Sequence, residues 1–136
     1  MDLEYFIKVK KYNDFKTNTV ETKYIAALLE KSFVSNETLC KQVETNCTLS
    51  RHEMGLALDE LSDVVKAALL KGCKVQLGNL GTLRLKFDAK AQNSPEDVTR
   101  KTITRVKCVF QPSKDLVNAI NNASIQKVDF LPQELE

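Results

Sequence analysis

The chain has 136 residues, ordinary apolar and charged fractions, and a formal net charge of only +2. That length suffices for one domain with a real core. The near-neutral charge excludes a molecule that attracts polyanions with its whole surface, so any nucleic-acid affinity must come from local patches. No apolar run approaches the roughly 18 residues of a membrane span. The acids Asp2 and Glu4 open the chain without the charged-then-apolar order of a signal peptide, so a cytoplasmic protein with no membrane partner is expected.

Leu3 to Lys10 is rich in aromatic and β-branched residues and predicts a strand. Tyr12 to Glu21 is polar and carries Asn-Asp and Asn-Thr turn chemistry. Thr22 to Leu29 suits a second strand, although Ala26-Ala27-Leu28-Leu29 equally suits a helix; the strand is preferred. Ser35 is a candidate N-cap for a helix that gathers Leu39, Cys40, Val43 and Cys47 on one face and ends near Asn46. Ser50-Arg51-His52-Glu53 is a capping box, in which the serine hydroxyl serves a free amide and the glutamate reaches back. Met54, Leu58, Leu61, Val65, Ala68 and Leu69 then recur at helical spacing, and Lys71-Gly72 is a stop signal with a cation in the last turn and glycine just past it.

Val75 to Leu77 predicts a short strand, and Gly78 and Gly81 permit a tight reversal. Thr82 to Phe87 follows as a strand, with Leu83, Leu85 and Phe87 on one face and Arg84 and Lys86 on the other. Ala89 to Glu96 is polar and weakly patterned. Thr102 to Phe110 returns as a strand, with Val106, Cys108 and Phe110 opposite Arg105 and Lys107. Pro112 breaks it, Ser113 caps a last helix holding Leu116, Val117 and Ile120, and Ile125 to Phe130 suits a final short strand.

Catalysis and metal binding find little support. Cys40, Cys47, Cys73 and Cys108 form no C-x-x-C pair, and His52 is the only histidine, so neither ligand count nor spacing fits a zinc site. Buried, reduced thiols are expected. Gly78-x-x-Gly81 lacks the Gly-Lys-Ser/Thr of a phosphate loop and reads as fold glycines. His52 has no nucleophile in a recognisable motif nearby. No enzyme activity, cofactor, metal or small-molecule substrate is therefore expected.

The stretch Lys71 to Leu83, with Gly78-Asn79-Leu80-Gly81-Thr82-Leu83 at its end, parallels the Gly-x-x-Val-x-Leu…Gly-x-Gly-x-Phe of the HU/IHF family of bacterial histone-like proteins. Phe110-Gln111-Pro112-Ser113-Lys114-Asp115-Leu116 parallels its Phe-x-Pro-Gly-Lys-x-Leu. The resemblance covers roughly residues 35–123, and the extension before it is similar to that of the HU-like domains common in Bacteroidetes, which place a strand pair ahead of the core. The implied fold is α+β: a helix-turn-helix base, a β-saddle and a protruding β-ribbon arm, in an intertwined dimer. The implied organisation is a strand-pair extension over 1–34 packed on the core, an HU-like core over 35–123 with its arm at about 87–103, and a tail over 124–136.

The implied function is non-enzymatic, largely sequence-independent binding and condensation of double-stranded DNA in the nucleoid, by a homodimer whose arms enter the minor groove. From Lys86 to Lys107 the cations Lys86, Lys90, Arg100, Lys101, Arg105 and Lys107 outnumber Asp88, Glu96 and Asp97 by three. With Arg84 and Lys114 they are the candidate phosphate ligands. Asn93 is the candidate reader of minor-groove acceptors, and Pro95 the candidate wedge between base pairs. A solvated strand edge also carries lysines, and Asn93-Ser94-Pro95 is equally plain turn chemistry. The sequence departs from the family at the tip. The family's Arg-Asn-Pro-x-Thr-Gly is replaced by Asn93-Ser94-Pro95-Glu96-Asp97-Val98, which loses the arginine and puts two acids after the proline. Those acids repel phosphate and favour the alternative, a structural or protein-interaction module on an HU-like fold that has lost DNA bending. The second helix carries Glu53, Asp59, Glu60 and Asp63, so it reads as a core and dimer element rather than a groove reader.

Overall fold

The computed structural model describes residues 2–128 and 133–134 and is of the mixed α+β class. Two compact units emerge, Met1–Phe33 with Ala119–Glu136, and Val34–Asn118.

The first unit is a sheet. Strand β1 (Asp2–Asp14) pairs antiparallel with β2 (Thr19–Leu28), from Tyr5↔Leu28 to Asp14↔Thr19. The ladder is longer than the polar pattern of 12–21 suggests. Tyr12, Thr19 and Val20 favour extended backbone, so the turn shrinks to four residues. Asn18 supplies the left-handed step at φ 55°, and the Asp14 carboxylate accepts the Lys16 N–H at 3.0 Å. On the far side of β1 lies β6 (Ser124–Lys127), parallel, in register from Asp2↔Ser124 to Tyr5↔Lys127. Strand β7 (Gln133–Glu134) continues that side at Lys8 and Val9. The last strand expected over 125–130 is thus seen as 124–127, and its end at Phe130 lies outside the described residues.

The second unit begins with two helices. Helix α1 (Asn36–Asn46) is capped by Ser35, whose hydroxyl accepts the Thr38 N–H at 3.2 Å. Helix α2 (Arg51–Leu70) is capped by Ser50, which accepts the Glu53 N–H at 3.1 Å. Only half of the capping box forms: the Glu53 carboxylate takes the Ser50 hydroxyl at 3.2 Å instead of reaching back to its amide. The helices are stapled by Glu44. Its carboxylate accepts the Arg51 N–H at 2.6 Å and the guanidinium at 3.2 and 3.3 Å. Those bonds, the backbone one first, hold its pKa below the usual carboxylate range. At the other end Gly72 sits at φ 87°, with Gly72 N–H on Leu69 C=O and Cys73 N–H on Ala68 C=O. This Schellman close needs glycine. Lys71 is the cap residue itself, so the expected cation lies outside the last turn.

A three-stranded antiparallel sheet follows: β3 (Val75–Leu77), β4 (Gly81–Ala89) and β5 (Ile103–Pro112) in that order. Helix α3 (Lys114–Asn121) leaves β5 through Ser113, whose hydroxyl accepts the Leu116 N–H at 3.1 Å and donates to the Asn79 carbonyl at 2.5 Å. That single serine ties the β3–β4 turn to the helix start. Gly81 is required where it stands. A Cβ there would lie 2.7 and 2.8 Å from carbons of the Phe110 ring and would collide with the Gln111 carbonyl.

The apolar side of this unit is thinly covered. Cys40 and Val65 are its only buried apolar side chains among the described residues. Met54, Leu58 and Leu69 are half-buried, yet Leu61 and Val64 on the flank of the same stripe stay 49% and 64% exposed. The cysteines are all free, but only Cys40 is buried. The expectation of four buried thiols fails because Cys108 lies on a thinly covered part of its sheet face and Cys47 and Cys73 sit at helix ends.

Candidate nucleic-acid interface

Strand alternation sorts the β3–β4–β5 sheet into two faces, and register keeps them sorted. Val75, Leu83 and Phe110 align across the three strands, followed by Leu85↔Cys108 and Phe87↔Val106. This face meets the end of α2, where Leu69 and Leu70 line a cavity with Leu85 and Phe87. The opposite face is polar apart from Val109. Gln76, Thr82 and Gln111 form its first row, then Arg84↔Val109, Lys86↔Lys107 and Asp88↔Arg105. Four of the expected phosphate ligands, Arg84, Lys86, Arg105 and Lys107, therefore share one surface.

Asp88 governs that surface. Its carboxylate meets Lys107 at 3.0 Å and Arg105 at 2.9 Å. The Lys107 bond, ahead of the Arg105 bond, holds its pKa below the usual range despite partial desolvation. Lys86 and Lys107 face each other directly, a like-charge pair that Asp88 offsets. The clamp is built by a bulge. Register slips between Asp88 and Ala89, where Thr104 is the extra residue and donates its hydroxyl to the Asp88 carbonyl at 3.0 Å. Arg84 and Lys86 make no ion pair among the described residues, and the half-buried Arg84 keeps its Nε without a hydrogen-bond partner. Asp88 was counted from sequence as one acid among several. Its parity with Arg84 and Lys86 was the signal that placed it among the cations.

Beyond the ladder the chain is not ribbon. Pairing ends at Ala89↔Ile103, and the Lys90 N–H on the Thr102 carbonyl at 2.9 Å closes the base. The residues between form two 3-10 turns, Pro95–Asp97 and Arg100–Thr102. Pro95 opens the first, where its fixed φ suits a turn. Ser94 donates its hydroxyl to the Asp97 carboxylate at 3.0 Å, which ties this acid back to the start of its own turn. Lys90, Asn93, Arg100 and Lys101 are all exposed here. Lys114 lies past the other end of the strands, about 27 Å of ladder away at roughly 3.4 Å per residue. It joins the polar face through a shallow cavity of about 320 Å³ shared with Gln76, Thr82, Gln111 and Ser113. None of these four neutral side chains was a candidate ligand from sequence, because neutral residues carry no charge signal.

No cluster of three or more His, Cys, Asp or Glu able to hold a metal occurs among the described residues. No described helix is long and apolar enough to cross a membrane.

Comparison with known proteins agrees with this geometry. A chain from Bacteroides vulgatus ATCC 8482, provisionally named a bacterial DNA-binding protein, superposes with a TM-score of 0.64 at 17% identity, over 93% of this chain and 48% of its own. The present chain thus spans about half the length of that structure, and the likeness speaks for the fold alone. Among curated proteins none matches the sequence significantly. The family model for an HU domain fused to a winged helix-turn-helix, an immunoglobulin-like domain or a glycine-rich motif matches residues 1–127. The chain belongs to this HU-HIG family.

Proposed function

We propose that this protein binds double-stranded DNA without catalysis and largely without reading sequence, as a nucleoid-associated, DNA-condensing protein of the cytoplasm. The observation that carries the reading is the alignment of Arg84, Lys86, Arg105 and Lys107 on one face of β4–β5. Cations in register along an extended ladder follow a phosphate backbone, and their affinity comes from counterion release. Lys90, Arg100 and Lys101 extend the cationic surface into the tip, where Asn93 and Pro95 would meet the minor groove. Lys114 would touch phosphate beyond the opposite end.

The working unit is a homodimer. Leu61 and Val64 on α2, and Phe87, Val106 and Phe110 on the sheet, expose more apolar surface than a lone unit of this size tolerates. A second copy covers both at once if the helices share a core. The arm would then be the β4–β5 ladder with its turned tip.

A second reading rests on Asp88. An acid that already neutralises Arg105 and Lys107, with Glu96 and Asp97 at the tip, suits a face that meets a protein rather than phosphate. An electrophoretic shift with duplex DNA over a salt series separates the two. The DNA reading expects binding that falls steeply with salt and is indifferent to sequence. A folded dimer that shifts no DNA at low salt overturns it.

A further inference from the structure

The first unit leaves one strand edge open. In its sheet β2 has β1 on one side and, among the described residues, nothing on the other. Ten residues of backbone, Thr19–Leu28, therefore direct every second N–H and C=O outward with no strand to meet. Soluble proteins blunt such edges with short strands, proline or inward charges. This edge is long and proline-free, and it exposes Val20 and Tyr24 at 61% and 66%.

Its sequence also complements itself. A two-fold axis normal to the sheet keeps each face on its own side, so it allows only registers that pair residues of like parity. Centred on Glu21, such a register opposes two glutamates; centred on Lys23, it opposes two lysines. Centred on Thr22, it pairs Glu21 with Lys23 twice, Val20 with Tyr24 twice, and Thr22 with itself. Opposite charges, an aromatic against a β-branched residue, and threonine pairs are the cross-strand combinations that stabilise antiparallel sheets. Glu21 and Lys23 already lie on one face with their charges 3.8 Å apart, so pairing would turn one exposed ion pair into a four-charge network.

We propose that β2 is a self-association edge. Two copies join their first units antiparallel about Thr22, making one continuous sheet. The occupant is a second copy of this chain, chosen by that charge complementarity, and the contact is independent of α2. A seven-residue ladder buries little area, so the contact is weak in free solution and gains weight where copies crowd. Combined with a dimer through another surface, it would link dimers in series.

Sedimentation velocity of the full chain over a concentration series tests this with charge swaps. Lys23→Glu gives glutamates at 21 and 23, and Glu21→Lys gives lysines at both. Each variant alone opposes four like charges across the axis and should lose this association step about tenfold. An equimolar mixture opposes glutamate to lysine at every position and should restore it. Restoration also shows that both variants are folded. Identical sedimentation of parent and both single variants overturns the proposal, and so does a mixture that stays as dissociated as its parts.

Discussion

The protein has two long antiparallel hairpins, β1–β2 and β4–β5, and both carry lysines on a sheet face. They use them differently. In β1–β2 the cations sit over the hairpin's own rings: the Lys8 ammonium lies 5.6 Å from the Phe6 ring, and Lys10 and Lys23 lie 4.9 and 5.6 Å from Tyr12. Apolar and charged side chains share that face, since Ile25 stands opposite Lys8 and Ala27 opposite Phe6. In β4–β5 the cations gather on one face, where Val109 is the one apolar residue in the ladder beside them, and the aromatic Phe87 and Phe110 lie on the other. Lysine count is thus a poor guide to an anion surface. What matters is how the fold groups the charges: Arg84, Lys86, Arg105 and Lys107 stand together in adjacent ladder rows, whereas Lys8, Lys10 and Lys23 are interleaved with rings.

The largest expected effect follows from that contrast. Replacing Arg84, Lys86, Arg105 and Lys107 together with glutamine should abolish duplex binding, while replacing Lys8, Lys10 and Lys23 with glutamine should leave it nearly unchanged. Each phosphate contact removed should flatten the salt slope by about 0.9. Fluorescence anisotropy across a salt series checks both, with circular dichroism confirming the fold. Equal losses in the two sets would erase the distinction between the hairpins.

Next in size is Gly81→Ala. The added methyl meets the Gln111 backbone and the Phe110 ring, neither a flexible end, so it should destabilise the protein by about 1–3 kcal/mol. Thermal melts check this against Gly55→Ala in α2. That site has open space, and alanine there should stabilise by roughly 0.5–1 kcal/mol.

Much of this contrast was legible in the sequence. Period-two alternation in 82–87 and 105–110 placed Arg84, Lys86, Arg105 and Lys107 on one side, because a sheet with one covered face enforces parity. Ser35, Ser50, Gly72 and Ser113 marked helix ends through local capping chemistry. What stayed hidden depends on distant partners. Glu44 stapling Arg51 and β6 lying parallel to β1 each join residues with no local pattern to announce them, and although parity puts Asp88 on the cationic face, its two partners follow only from the cross-strand register. The tip is a different case. Asn93-Ser94-Pro95 carries plain turn chemistry, and Pro95 and Arg100 each open a 3-10 turn that no periodicity in this polar stretch announces. Along the apolar stripe of α2, Met54, Leu58, Val65 and Leu69 are at least half-buried within the chain, while Leu61 and neighbouring Val64 remain exposed.

A moderate effect is expected at Asp88. A carboxylate whose pKa is lowered in the folded protein adds stability above its unfolded value and loses it as pH falls through the folded one. The clamp on Lys107 and Arg105 therefore holds across neutral pH and opens only below the ordinary carboxylate range. Mutation is the practical probe. Asp88→Asn keeps the shape, frees both cations and should tighten duplex binding on the order of fivefold at low salt, with a steeper salt slope. Weaker binding would mean that Asp88 positions Lys107 and Arg105 rather than competing for them.

The smallest expected change in affinity is at Pro95, where the tip is put to its own test. Pro95 fixes the first residue of a 3-10 turn whose next residues are Glu96 and Asp97. Asp97 is held by Ser94 and so is partly withdrawn from any phosphate, which leaves Glu96 as the repelling charge. If Pro95 wedges between base pairs, Pro95→Ala should cut DNA bending in a fluorescence-transfer assay while leaving affinity within about twofold, because the wedge and the phosphate contacts are separate contributions. Glu96→Lys should then tighten binding and increase the bend together. Asp97→Lys should do less for charge and more harm to the turn, since it breaks the Ser94–Asp97 hydrogen bond. If the parent does not bend DNA and Glu96→Lys gains no bend, the tip is a closed turn rather than a wedge. Duplex affinity would then rest on the strand cations alone, with β4–β5 gripping the backbone along its length.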